Sequence, residues 1–179
     1  MTGSRISGAT YGALFYGVPN QGMETEAMCS VVKDQPNASL INSLQRDSDL
    51  LTHQTLEFDK IISYLNLDII YFYEEKLSPQ LARDPQSGEW RANGQSIFMV
   101  EKSSATNGNL TRNLDITFGF NTTHSDLVKF ESFDERSNTT ITQLSRMVNL
   151  AMKRVADGTF PRRDEPEMRY TNRSRVGTY

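Results

Sequence analysis

Apolar residues along this chain come in two spacings that take turns. Ala9-Thr-Tyr-Gly-Ala-Leu-Phe-Tyr16 is short, apolar and aromatic-rich and stops at Gly17-Val-Pro-Asn-Gln-Gly22, the pattern of a buried strand entering a turn. From Glu24 to Asp34 the period becomes helical, with Met23, Ala27, Met28, Val31 and Val32 on one side and Pro36 as the stop. A second helix is expected around Ala38 to Leu44. Asp47 or Ser48 can cap a third, in which Leu51, Phe58, Ile61, Ile62 and Leu65 recur at helical spacing. Leu67-Asp-Ile-Ile-Tyr-Phe-Tyr73 reads as the second strand, with Glu74-Glu-Lys and a long Pro/Gly-containing segment after it, and Ser96-Ile-Phe-Met-Val100 as the third. Residues 101–114, rich in Ser, Asn, Thr and Gly, read as a loop. The last helix is expected from about Thr140 to Ala156, ended by Gly158 and Pro161. Its Ile141, Leu144, Val148, Ala151 and Val155 are spaced by threes and fours, a face that should pack against a sheet.

Helices interleaved with short buried strands imply parallel pairing through crossovers, so the fold class is α/β with a mostly parallel sheet flanked by helices. Beyond Phe160 aliphatic residues nearly vanish, and Arg162, Arg163, Arg169, Arg173 and Arg175 mix with Asp164, Glu165 and Glu167. The expected organisation is one domain over residues 1–158 and a charged, disordered tail over 159–179. Interleaved acids and few aromatics make that tail a solvated one rather than a lipid or nucleic-acid binder.

Composition narrows the partners. A net charge of -3 over 179 residues gives no general attraction to nucleic acid. Cys29 is the single cysteine and the histidines are His53 and His124, which excludes an internal disulfide and a Cys/His-rich zinc site; no cofactor or metal is expected. No apolar run reaches the roughly 20 residues of a transmembrane helix, and Met1-Thr-Gly-Ser-Arg-Ile-Ser lacks the apolar centre of a secretory signal. An intracellular, cytoplasmic location is therefore expected, with organelle or peripheral membrane association left open. The glycosylation-like triplets at Asn37, Asn109, Asn121, Asn138 and Asn172 are then incidental.

His124 is the residue with most chemical promise. It lies in Asn121-Thr-Thr-His-Ser-Asp-Leu-Val-Lys-Phe130 at the expected start of a short helix, where Ser125 can cap and Asp126 can favour the positive end, leaving the imidazole free to project. A histidine so placed can act as a general base. An acid partner is at hand in Glu74, at the end of an apolar strand, with Glu75 as its alternative. No Gly-x-Ser-x-Gly occurs, so the set reads as a Ser-His-acid constellation without its nucleophile. Cys29 reads as a packed thiol on an amphipathic helix, His53 as a surface residue, Asp126 as a helix-start residue, and Ser103 and Ser104 as part of a turn at the site rim.

Four segments in order, Leu14-Phe-Tyr-Gly-Val-Pro-Asn-Gln-Gly22, Leu67-Asp-Ile-Ile-Tyr-Phe-Tyr-Glu74, Val100-Glu-Lys-Ser-Ser-Ala-Thr106 and His124-Ser-Asp-Leu-Val-Lys-Phe130, resemble one family over about residues 9–155. It is the lipase-like serine α/β-hydrolase domain of serine active-site containing proteins, found also in fungal proteins that join it to NACHT or ankyrin-repeat regions. Asn20 and Gln21 depart from that family's commoner Gly-Thr-Pro-His-Arg-Gly turn. The resemblance implies His124 as the triad base and Glu74 as the carboxylate that orients it, with an acyl ester as substrate of the full-length form and NACHT or ankyrin-type domains as its neighbours. It also implies that the nucleophile elbow and oxyanion donors belong before the first segment. The chain is accordingly expected to be the C-terminal part of an α/β-hydrolase fold, lacking the N-terminal strands and inactive alone. A non-catalytic binding or regulatory module derived from that fold is the alternative. On the first of these readings Tyr11 to Tyr16 should be an open sheet edge, prone to self-association, because in complete relatives its neighbour is the nucleophile-bearing strand; a module that stands alone would have that edge covered.

Overall fold

The computed structural model describes residues 10–107, 116–132 and 134–159. In chain order its elements are β1 (Gly12–Tyr16), α1 (Glu26–Val31), α2 (Ala38–Ser43), α3 (Asp49–Leu65) and β2 (Asp68–Glu74), then the two-residue strands β3 (Ser78–Pro79), β4 (Ala82–Arg83), β5 (Trp90–Arg91) and β6 (Ser96–Ile97). There follow α4 (Lys102–Ala105), β7 (Ile116–Phe120), a 3-10 turn over His124–Asp126, and α5 (Glu135–Ala156). The fold is mixed α/β, with β1, β2 and β7 forming a parallel sheet in that spatial order.

β2 is the middle strand, and its Ile69, Ile70, Tyr71 and Phe72 are all buried, as a strand covered on both faces requires. Alternation along it divides the core in two. Ile70 and Phe72 point to one face with Leu14, Tyr16, Phe118, Phe120, Leu127 and Met147 of α5. Ile69 and Tyr71 point to the other with Ala13, Phe15 and the α3 residues Phe58, Ile62 and Leu65. Phe72 anchors the first face: its ring stacks on Tyr16 at 4.3 Å between centroids, with Phe120 at 5.0 Å and Phe118 at 5.5 Å.

The expected helices are present with shifted ends. α3 starts after Ser48, although the Ser48 side chain makes no capping bond, and stops where Asn66 turns left-handed at φ 49°. α5 starts earlier than the apolar pattern indicates because Asp134 caps it, accepting a 2.6 Å bond from the Ser137 N–H.

Five expectations are corrected. Ser96 to Val100 is not a strand of the main sheet; only Ser96 and Ile97 pair, antiparallel, with β3. The third parallel strand is instead β7, Ile-Thr-Phe-Gly-Phe, which the sequence reading passed over. Cys29 is half-buried rather than packed in the core, since α1 has no buried residue; its thiol donates to Asn42 Oδ1 at 3.3 Å. The fourth concerns α5: Ile141, Leu144, Val148 and Val155 do not face the sheet and are 60, 48, 47 and 49 % exposed. The helix instead lies on the sheet through Met147, Thr140 and its arginines. Met147 enters the core, the Tyr16 hydroxyl meets Thr140 Oγ1 at 2.9 Å, Arg146 pairs with Asp68 at 2.9 Å and Arg154 donates to the Asn66 carbonyl at 2.7 Å. The fifth is the loop expected over 101–114: Lys102–Ala105 form α4, and its half from Gly108 lies outside the described residues, as does the tail expected to be disordered, from Phe160.

Candidate functional site

Parallel strands put all their C-terminal ends at one edge of the sheet, which is where α/β folds gather chemistry. β2 ends in Glu74, and β7 runs alongside with Phe120 opposite Glu74. Four residues after β7 comes His124, at the start of the 3-10 turn. The two side chains meet: His124 Nδ1 stands 3.4 Å from Glu74 Oε2. The carboxylate is 1 % exposed and the imidazole 31 %. Both facing atoms are buried and neither has another partner, although their alignment falls short of a formed hydrogen bond. Burial of Nδ1 leaves the opposite edge of the ring, with Nε2, as the exposed one. A buried carboxylate facing Nδ1 favours the imidazole tautomer that carries its proton there, with Nε2 unprotonated.

The neighbours fix this pair from three sides. Val100 is 1 % exposed, and its N–H donates to Glu74 Oε1 at 2.9 Å. That bond accounts for the failed strand at 96–100: the Val100 backbone serves the carboxylate instead of a neighbouring strand. Ser78 Oγ accepts from the His124 N–H at 3.2 Å. Gly17, at the end of β1, backs the ring; its φ is +56°, and a Cβ there would stand 2.9 Å from His124 Cε1, 3.0 Å from Nδ1 and 2.8 Å from Leu127 Cδ1. Only glycine meets both demands at this point.

The loop from Gly17 to Gly22 is held by Ser104 of α4. Ser104 is buried; its hydroxyl donates to the Gly22 carbonyl at 2.6 Å and accepts from the Gln21 N–H at 3.0 Å, while its carbonyl accepts from Asn20 Nδ2 at 3.0 Å. With both lone-pair and proton functions spent on backbone, Ser104 positions the loop. Ser103 is exposed on the same short helix. The sequence read both as rim residues, which fits their place beside the loop but missed the clamp.

The remaining candidates separate from the pair. Glu75 is exposed, and its carboxylate lies over Gly119 on the other side of the sheet, as strand alternation demands. Ser125 lies inside the 3-10 turn instead of capping it; the residue before the turn is Thr123, and its side chain makes no capping bond. Asp126 bonds Lys129 and Thr123, each at 2.9 Å, and these partners hold its carboxyl below the usual range. His53 is exposed on α3, at the mouth of an apolar cavity of about 600 Å³ that also includes Phe15, Leu51, Phe58 and Ile61. Among the described residues no three His, Cys, Asp or Glu side chains gather as a metal site, and no helix is long and apolar enough to cross a membrane.

No family model, curated protein or solved structure matches the chain. What defines the site is thus its own arrangement: a parallel α/β sheet whose C-terminal edge presents a buried glutamate facing a half-exposed histidine.

Proposed function

We propose that this chain carries the acid-base half of a lipase-like serine-hydrolase site, acting on an acyl ester. Glu74 orients His124 and stabilises its charged form, and Nε2 accepts the proton of a serine supplied by polypeptide outside the described residues. The single observation that carries this is the 3.4 Å approach of His124 Nδ1 to Glu74 Oε2 at the ends of neighbouring parallel strands. The order of the four segments resembling the lipase-like serine α/β-hydrolase family supports the same reading. On it the described residues hold an oriented base but no activated serine, and the 179-residue chain is expected to turn over no short acyl esters. NACHT or ankyrin-type domains belong to this proposal as neighbours in a full-length form.

The tautomer of His124 tests it, read from imidazole ¹⁵N shifts at a pH where the ring is neutral. The expected proton is on Nδ1. In Glu74→Gln the amide NH₂ faces the ring, the carbonyl still accepting from Val100, and the proton should move to Nε2, leaving Nδ1 as the acceptor. A parent chain already protonated on Nε2 would present no base to a nucleophile, and the proposal would fall.

A second reading, a non-catalytic binding module, is favoured by one observation: the exposed apolar face of α5 offers contact surface without any reacting group. Wild-type Nδ1–H with no loss of binding function in His124→Ala would select it.

A further inference from the structure

β1 has one open side. Odd-numbered residues turn their backbone groups to β2: the Tyr11 carbonyl accepts from the Asp68 N–H at 3.0 Å and the Gly17 N–H donates to the Phe72 carbonyl at 2.8 Å. By strand alternation the N–H and C=O groups of Gly12, Leu14 and Tyr16 point the other way. Among the described residues no strand meets them.

The exposed face of α5 lies on that same side. At about 100° per residue, the helix contacts with the β2 side, Arg146 to Asp68 and Arg154 to Asn66, come first around its axis, and then those with β1, Met147 over Gly12 and Thr140 to Tyr16. Next in the same rotation come Leu144, Val155, Val148, Ile141 and Met152, so this stripe looks out past β1. The half of the helix it occupies holds no charged residue; Glu135, Arg136, Arg146, Lys153 and Arg154 all fall in the other half. On the far face of β1, Phe15 borders the apolar cavity, so apolar surface flanks the open edge above and below.

We propose that this surface is a two-fold interface with a second copy of the chain. The axis runs normal to the sheet, midway between Leu14 and its copy. Leu14 then faces its own copy and Gly12 faces Tyr16 in the hydrogen-bonded positions of an antiparallel ladder, which satisfies every outward N–H of both strands. The same operation brings the two α5 helices side by side on one face of a continuous six-stranded sheet. Strands lie about 4.8 Å apart, so a helix seated over the β1–β2 boundary stands about 5 Å from the axis. The two helix axes are then about 10 Å apart, the upper end of the usual packing range. Stripe meets stripe with no charge to bury. In composition the chain's remaining segments match this stripe poorly: 1–9 and 108–115 hold Met1, Ile6, Leu110 and Leu114 as their large apolar residues, and 160–179 holds Val176 and Met168 with Phe160, Tyr170 and Tyr179 among many charges. An isologous contact also closes on itself, so assembly ends at two copies. This inference does not depend on the catalytic reading.

Light scattering on the 179-residue chain at micromolar concentration tests it, beside Ile141→Glu/Met152→Glu and a control, Leu40→Glu, whose residue is equally exposed on α2. The expected result is twice the 20.3 kDa chain mass for the parent and the control, and one chain mass for the double variant. Amide hydrogen exchange of the parent is a second readout that needs no variant: Leu14 and Tyr16 should be protected at least tenfold more at high than at low protein concentration. A monomeric parent, an open-ended aggregate, a dimer that survives the double substitution, or concentration-independent exchange at Leu14 would each overturn the interface.

Discussion

Replacing Gly17 with alanine puts one methyl group where three atoms already crowd. The φ of +56° costs an L-residue about 1–2 kcal/mol. The new Cβ would stand 2.8 Å from Leu127 Cδ1, whose side chain is 1 % exposed and has nowhere to retreat. Overpacking of this kind costs about 1–3 kcal/mol. Against that, alanine narrows the unfolded ensemble, worth about 0.4–1 kcal/mol in favour of the fold. The net expectation is a loss of about 2–4 kcal/mol, which at this chain length lowers the thermal midpoint by roughly 5–15 °C. Gly158 supplies the control: its φ is +62°, but no heavy atom would lie within 4 Å of an added Cβ, so Gly158→Ala should cost only the backbone term less the same unfolded-state gain, about 0–1.5 kcal/mol. Thermal melts by circular dichroism measure both, and the ¹⁵N and ring-proton shifts of His124 report whether the imidazole is pushed off Glu74. If Gly17→Ala melts no lower than Gly158→Ala and leaves those shifts unchanged, then Gly17 does not back the histidine and the account of the site is wrong.

Two stability predictions concern α5. Met147→Ala should cost about 2–5 kcal/mol in urea titration, since Met147 is the helix's buried side chain, whereas Leu150→Ala, at an exposed position, should stay within about 0.5 kcal/mol. The Asp134 carboxyl is held below the usual range, first by the Ser137 N–H and then by the Arg136 guanidinium. A depressed folded value means that this cap stabilises the helix above the unfolded carboxylate value and is lost as pH falls through the folded one. Helical ellipticity should therefore decline on acidification below about pH 4, and Asp134→Asn, which keeps a cap oxygen without the charge, should flatten that part of the curve.

Much of the scaffold was legible because its signals are local. Periods of two and of three to four, with Gly17, Pro36 and Gly158 as punctuation, located β1, α3, β2 and α5 within a few residues. The carboxylate that faces His124 was legible too, since Glu74 ends the apolar run Ile69 to Tyr73 and strand alternation sends Glu75 to the other face. β7 was missed although its Ile-Thr-Phe-Gly-Phe alternates and is rich in β-formers; it follows a polar stretch and is interrupted by Gly119, which reads as a turn. Yet this strand delivers His124, so the sequence found the histidine and not the element that aims it.

What could not be read locally is which partner an apolar surface meets. Ile-Phe-Met-Val at 97–100 has a strand's composition, but its buried N–H is claimed by a carboxylate 26 positions earlier in the chain, a contact no window of sequence contains. The α5 stripe is the opposite case. Its spacing correctly marks an apolar face, and the face is there, but the sheet takes the neighbouring sector through Thr140, Met147 and Arg146 because tyrosine, glycine and aspartate at Tyr16, Gly12 and Asp68 offer polar and close-packed partners to those residues. Periodicity states that a surface seeks burial; only the three-dimensional partners state against what. On the proposed two-fold interface, a stripe left over after the core is complete, beside a strand edge that no described strand pairs, is therefore a property of the assembly rather than of the single chain.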